Sequence, residues 1–325
     1  MKRKPSMLGR MSLLACLAAA IACGRSPEKA PEAKAAPFPN PPYFGQPVPG
    51  TTPARFAPGV VSTDGPIELN GAFSPDGREF FFTRIEGGVD TMYRSVFSDG
   101  QWSDPEPLLL YPSRARAVAV DMSVSPDGDE LFFLGQYDPS GAPSSSDIWV
   151  SRRRGDGDWG EARKVPAPVS TGAEEIYPVV VADGSLYFSS DRAGERSDLW
   201  RAQREADGSF AEPKSLGPPI SDEAGVGDTC VAPDESFMVL SSRRSPSFGL
   251  GDLFVSFRQA DGSWSAPVNL GDTVNTTDHE FCPMVTPDGK YLFFSRRVGA
   301  TWETATGGDV YWVSTEVLDR LRPPA

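Results

Sequence analysis

One short phrase, written five times, constrains this chain more than any other feature. Its copies are Ser74-Pro75-Asp76-Gly77, Ser125-Pro126-Asp127-Gly128, Val181-Ala182-Asp183-Gly184, Ala232-Pro233-Asp234-Glu235 and Thr286-Pro287-Asp288-Gly289. The turn aspartates lie 51, 56, 51 and 54 residues apart. A period near 50 residues marks a repeat architecture in which each copy is one supersecondary unit. Pro pre-sets φ, Asp tolerates the next position, and Gly accepts a left-handed φ, so the phrase itself is a hairpin turn. Glu235 stands where the other copies have Gly, and strain is expected there.

Each repeat has four parts. A first strand runs into the turn. A second, apolar strand follows: Phe80-Phe81-Phe82, Leu131-Phe132-Phe133, Leu186-Tyr187-Phe188, Phe237-Met238-Val239-Leu240 and Leu292-Phe293-Phe294. These runs do not alternate, so both faces of the strand must be covered. Third comes an acidic-aliphatic-aromatic triplet such as Asp147-Ile148-Trp149 or Asp198-Leu199-Trp200. Fourth is an Asp-Gly turn with an aromatic two residues on, as in Asp156-Gly157 with Trp159 and Asp261-Gly262 with Trp264. An Asp-Gly between apolar runs is a strong hairpin signal. Four antiparallel strands make one propeller blade. The sequence therefore predicts an all-β propeller of four-stranded blades over residues 55–315, five in number, with six as the alternative. The fifth repeat stops after its third strand, and a strand near Phe56 is expected to supply the fourth and close the ring.

The ends read differently. Lys2, Arg3, Lys4 and Arg10 precede an apolar run from Met11 to Ala22, which is the length of a secretory h-region and too short to span a bilayer. Ala20-Ile21-Ala22-Cys23 resembles a bacterial lipobox, with Cys23 as the lipidated residue; Leu13-Leu14-Ala15-Cys16 leaves too short a run before it. Residues 1–22 are thus expected to be a signal peptide and the chain to be exported. Residues 23–54, rich in Pro, Ala, Glu and Lys, are expected to be a lipidated, disordered tether. Residues 316–325 are expected to be a tail.

The segment Trp264-Ser265-Ala266-Pro267-Val268-Asn269-Leu270-Gly271, with Val274-Asn275-Thr276 and Glu280, is close to a form found in envelope lipoproteins. Together with the Pro-Asp-Gly copies it resembles the TolB-type, WD-repeat-like β-propeller repeat of bacterial periplasmic and outer-membrane proteins. The resemblance covers the globular part and implies an envelope protein, anchored to the membrane only through its lipid, that recognises a protein or a glycan. TolB itself carries a separate N-terminal domain before six blades, and this sequence shows a tether before five copies, so translocation-linked partners are not implied.

Net charge is −13, which repels phosphate backbones and argues against nucleic acid. Counted back from each turn aspartate, positions −8, −6 and −4 share a face of an ideal strand. They carry Glu68 and Asn70; Asp121; Glu175 and Tyr177; Asp228 and Cys230; Glu280 and Cys282. An innermost first strand would gather Glu68, Asn70, Asp121, Glu175, Tyr177, Asp228 and Glu280 at the channel mouth as a binding site. Buried polar groups are as a rule satisfied structural groups, so the plain alternative is a channel wall tying blades together. A further alternative is a glycan-acting hydrolase using Asp121, Glu175, Asp228 and Glu280 as its carboxylates. His279 is the only histidine, which argues against a His-rich zinc site and for a loop position. No cofactor, metal or catalytic motif is expected. Cys230 and Cys282 are expected to be buried free thiols, and Arg192, Arg244 and Arg297 to pair with Asp198, Asp252 and Asp309.

Overall fold

The computed structural model describes residues 38–111, 118–137, 145–194 and 196–323. The expected signal peptide, the expected lipidation site Cys23 and the expected tether up to residue 37 lie outside the described residues. Three repeats are separate four-stranded antiparallel sheets. The second holds Val118–Val124, Glu130–Gln136, Asp147–Arg152 and Arg163–Lys164; the third holds Glu175–Val180, Leu186–Ser190, Asp198–Ala202 and Lys214–Ser215. The fourth holds Thr229–Val231, Phe237–Ser242, Asp252–Phe257 and Val268–Asn269. Repeats one and five share a mixed sheet, joined by one parallel pair, Ile67 with Gly308. Repeat one contributes Ile67–Phe73, Glu79–Glu86, Val89–Ser98 and Glu106–Pro107; repeat five contributes His279–Val285, Tyr291–Val298 and Gly307–Ser314. The N-terminal strand Ala54–Arg55 lies antiparallel on Gly307–Ser314.

The turns work as their chemistry requires. The Ser74 hydroxyl donates to Asp76 Oδ1 at 2.6 Å and accepts the Glu79 N–H at 2.9 Å, while Asp76 Oδ1 accepts the Arg78 N–H at 3.0 Å. Ser125 with Asp127 and Thr286 with Asp288 repeat this pattern. The turn aspartates are punctuation. Glu235 adopts φ +56° where Gly289 has +73°, so the strain expected from its Cβ is real.

The apolar second strands are buried on both faces, and Phe80, Phe81 and Phe82 are each fully enclosed. Their cover comes from neighbouring repeats. Phe81 packs with Leu131 and Phe133; Phe132 with Phe188; Tyr187 with Met238 and Leu240; Val239 with Leu292 and Phe294; and Phe293 with Phe80 and Phe82. The aromatics after the Asp-Gly turns tuck in beneath arginines, with Arg153 4.2 Å from the Trp159 ring and Arg258 5.0 Å from Trp264.

Two boundaries move. The tether expected to reach residue 54 does not. Tyr43 is 3% exposed, its ring 5.1 Å from Tyr291 and 5.5 Å from Trp312, and Phe44 stacks on Trp102 at 4.4 Å. A composition averaged over 24–54 hides these aromatics, which cover apolar surface where repeats five and one meet. The expected tail is also structured: Glu316–Asp319 is a short helix that buries Val317 and Leu318 against Phe257 and Val313.

Candidate functional site

The first strands do not keep one parity. In repeats one, two, three and five the pairing with the second strand slips, between Leu69 and Gly71, Val120 and Ser123, Ile176 and Val179, and Phe281 and Met284. Each slip is a β-bulge. At it, Asn70, Asp121, Tyr177 and Cys282 take φ values of +53°, +53°, +56° and +47°. A bulge leaves one residue unpaired and re-aims its side chain. In these four repeats the common face expected for positions −8, −6 and −4 is therefore broken.

The bulge splits the candidate residues into two sets. Position −8 sends its glutamates into a structural unit. Glu68, Glu175 and Glu280 are all fully buried. Glu280 accepts from Arg296 Nε at 2.7 Å, from Thr276 Oγ1 at 2.7 Å and from the Thr276 N–H at 3.1 Å. Glu68 does the same with Arg84 and Thr63, and Glu175 with Arg192 and Thr171. The arginines in turn lie over aromatics of the third strand, 5.0 Å for Arg84 on Tyr93 and 4.5 Å for Arg296 on Tyr311. In repeat four Val226 replaces the glutamate, and Asp222, at the threonine's place, ion-pairs with Arg244 at 3.4 Å. In repeat two both partners vanish together, as Ala119 opposite Gly135. The arginine–aspartate pairs expected across the blade do not form. Arg192 pairs with Glu175, Arg244 with Asp222, Arg297 donates to the Ala300 carbonyl, and Asp309 is held by Arg55 instead.

Position −6 does the opposite. Asp121, Asp228 and Cys282 bring ligand-type atoms within 4.8 Å of one another, and all three are buried. They are the described residues placed to hold one metal ion together. Cys282 Sγ lies 3.1 Å from Asp228 Oδ1 and 3.4 Å from Asp121 Oδ1, so its one S–H is shared between two acceptors. The Asn70 side chain, close by, favours the charged form of Asp121. Burial pushes both carboxyls above the usual aspartate range, and the charge of Asp228 pushes Asp121 further. The same charges, Asp228 first, hold the Tyr177 phenol well above its ordinary range. Cys230 and Cys282 are both buried free thiols.

Asp121, Tyr177 and Asp228 line a cavity of about 540 Å³. Its apolar wall is Ile67, Leu69, Ile85, Val120, Phe281 and Trp302, and Gly88, Asp90, His279 and Glu303 complete its lining. His279 is not a loop residue. It opens the strand His279–Val285 and stacks on Phe281 at 4.9 Å. Burial, together with Arg297 and Arg243, pushes its imidazole down to about 4, so it is neutral at neutral pH. Sequence reasoning missed the wall: Phe281 and Trp302 carry no motif. It also missed the role of Cys282, although all five −6 residues are polar or thiol-bearing.

A thermostable family-43 glycoside hydrolase superposes on this chain with TM-score 0.50 at 11% identity, covering 77% of this chain and 89% of the hydrolase. The fold is a β-propeller. Two looser likenesses are TolB from Acinetobacter baumannii and the catalytic domain of a Coprinopsis cinerea GH62 α-L-arabinofuranosidase. TolB gives TM-score 0.46 at 15% identity, covering 77% of this chain and 57% of TolB, so the propeller chain spans little more than half of TolB's length. The arabinofuranosidase gives TM-score 0.49 at 11% identity, covering 82% of this chain and 97% of that domain. No protein-family model matches the sequence, and no curated protein matches it.

Proposed function

We propose that this chain is a non-catalytic binding propeller of the bacterial cell envelope that recognises a protein or a glycan through the cavity at the centre of its repeats. Five blades form the ring, and Ala54–Arg55 supplies the outer strand of the last. What supports this count is the core, whose clusters are shared between successive repeats and, through Phe293 and Phe80, between the fifth and the first. Export and lipidation at Cys23 are part of the same proposal, with the membrane reached only through the lipid.

One observation carries the binding reading. Of the candidate carboxylates, Glu68, Glu175 and Glu280 are fully engaged by threonine and arginine, and the remaining two share the Cys282 thiol lodged between them. A glycosidase needs two free carboxyls flanking a bond, with room between them for the reacting carbon or a water. The rival hydrolase reading draws its support from Asp121 and Asp228, two acids with raised proton affinity facing a cavity. A panel of polysaccharides and chromogenic glycosides separates the two. The binding reading expects no turnover, together with retention of an envelope component that Trp302→Ala loses. Turnover abolished by Asp121→Asn would establish the hydrolase instead.

A further inference from the structure

The buried carboxylates fall into two electrostatic classes. Glu68, Glu175 and Glu280 each have an arginine within 3.1 Å. Asp121 and Asp228 are 8% and 7% exposed, and among the described residues no arginine, lysine or histidine pairs with either. Their hydrogen-bonded side-chain partner is a weak thiol donor, Cys282. A buried carboxylate is stable only when paired or neutralised. Both face the cavity, and His279 on its wall is neutral and supplies no counter-charge.

Beside this pair the cavity has room for more than an ion. The cavity's 540 Å³ is many times the space one water needs. Leu69, Ile85, Val120, Phe281 and Trp302 give part of its lining hydrocarbon and ring faces that suit an apolar stem. Asp90 and Glu303 add negative charge to the lining, and the chain as a whole carries −13, which draws cations in. We propose that this cavity binds an organic ammonium group on an apolar stem, with Asp121 and Asp228 as counter-ions to the nitrogen and Phe281 and Trp302 against the stem. The inference rests on the binding reading and names the chemistry of what is bound.

Calorimetric titration of the full chain tests it. The probes are n-hexylamine, hexan-1-ol as the same stem without charge, and calcium, manganese and zinc chlorides alone. Hexylamine is expected to bind one per chain. Hexanol should bind about tenfold to a hundredfold more weakly, the factor a charged hydrogen bond supplies. Asp228→Asn and Asp121→Asn, which keep side-chain shape, should each weaken hexylamine by about tenfold or more and leave hexanol unchanged. Trp302→Ala should weaken both. Equal binding of amine and alcohol, no binding of hexylamine, or wild-type amine affinity in both Asn variants overturns the proposal. So does an Asp228-dependent metal site that hexylamine cannot enter. Glycoside turnover would undo the binding reading whatever the amine does, whereas absent amine binding without turnover undoes this inference alone.

Discussion

Removing the Glu280 carboxylate should destabilise the whole propeller rather than abolish a function. The side chain is fully enclosed and takes three hydrogen bonds, one from Arg296 Nε and two from Thr276. Glu280→Leu leaves the guanidinium of Arg296, itself only 15% exposed, without its counter-charge. Summing three charge-assisted bonds at about 1.5–3 kcal/mol each overshoots, because Thr276 can turn to other acceptors and Arg296 keeps the Val274 carbonyl at 2.9 Å. Breaking a buried ion pair by deleting one partner costs about 3–5 kcal/mol, and that is the expected loss. For a chain of this size it lowers Tm by about 6–15 °C, at about 2–3 °C per kcal/mol. Thermal unfolding followed by circular dichroism reads it directly. The double variant Glu280→Leu with Arg296→Leu should recover most of the loss, since an apolar pair of similar volume replaces a buried ion pair at little net cost. An unchanged Tm in Glu280→Leu, or a double variant no better than the single, would refute the structural assignment and return Glu280 to the list of candidate catalytic acids.

Other outcomes follow from the same contacts. Asp228→Asn should flatten the stability profile against pH: a carboxyl whose proton affinity is raised in the folded state stabilises below its unfolded value of 3.8 and loses that stability as pH rises through the higher folded value, so the variant's Tm should gain on the wild type at about pH 8 relative to about pH 4. A gain at acid pH instead would reverse the sign of this account. Val226→Glu with Asp222→Thr rebuilds in repeat four the unit seen in the third, and should keep the unfolding free energy within about 1 kcal/mol of wild type although a buried valine becomes charged; Val226→Glu alone sets a second acid beside Asp222 and should cost about 3 kcal/mol or more in urea unfolding. Glu235→Gly relieves left-handed strain of about 1 kcal/mol but removes the acceptor of the buried Tyr187 hydroxyl and of Arg201, so urea unfolding should show a net loss of about 1–2 kcal/mol; a gain would mean that strain outweighs the ion pair. Mass spectrometry after alkylation should find Cys230 and Cys282 unmodified in the native protein and both modified in denaturant; modification while folded would contradict their burial.

The repeat, its hairpins and its fully buried second strands were legible, because each rests on a local rule that operates before any long-range contact forms. Pro-Asp-Gly turns the chain whatever surrounds it, and Phe80-Phe81-Phe82 has to be covered on both faces in any fold. The site was half legible. Asp121, Tyr177 and Asp228 were among its expected residues and do line the cavity. Glu68, Glu175 and Glu280 were expected beside them and are not there, because parity counting assumes an unbroken strand.

Sequence alone determined the all-β architecture, the five repeats and the placing of their turns. Tertiary structure decided which way the innermost residues point. An unpaired residue at Asn70, Asp121, Tyr177 or Cys282 is set by how a first strand fits its neighbours around the centre, and residues as unlike as Asn, Asp, Tyr and Cys accept that left-handed turn. The same is true of Tyr43 and Phe44, whose place depends on an apolar surface that exists only once the fifth repeat meets the first. Local chemistry writes the turns; only the assembled fold says which acids are tied down and which two are left facing the cavity.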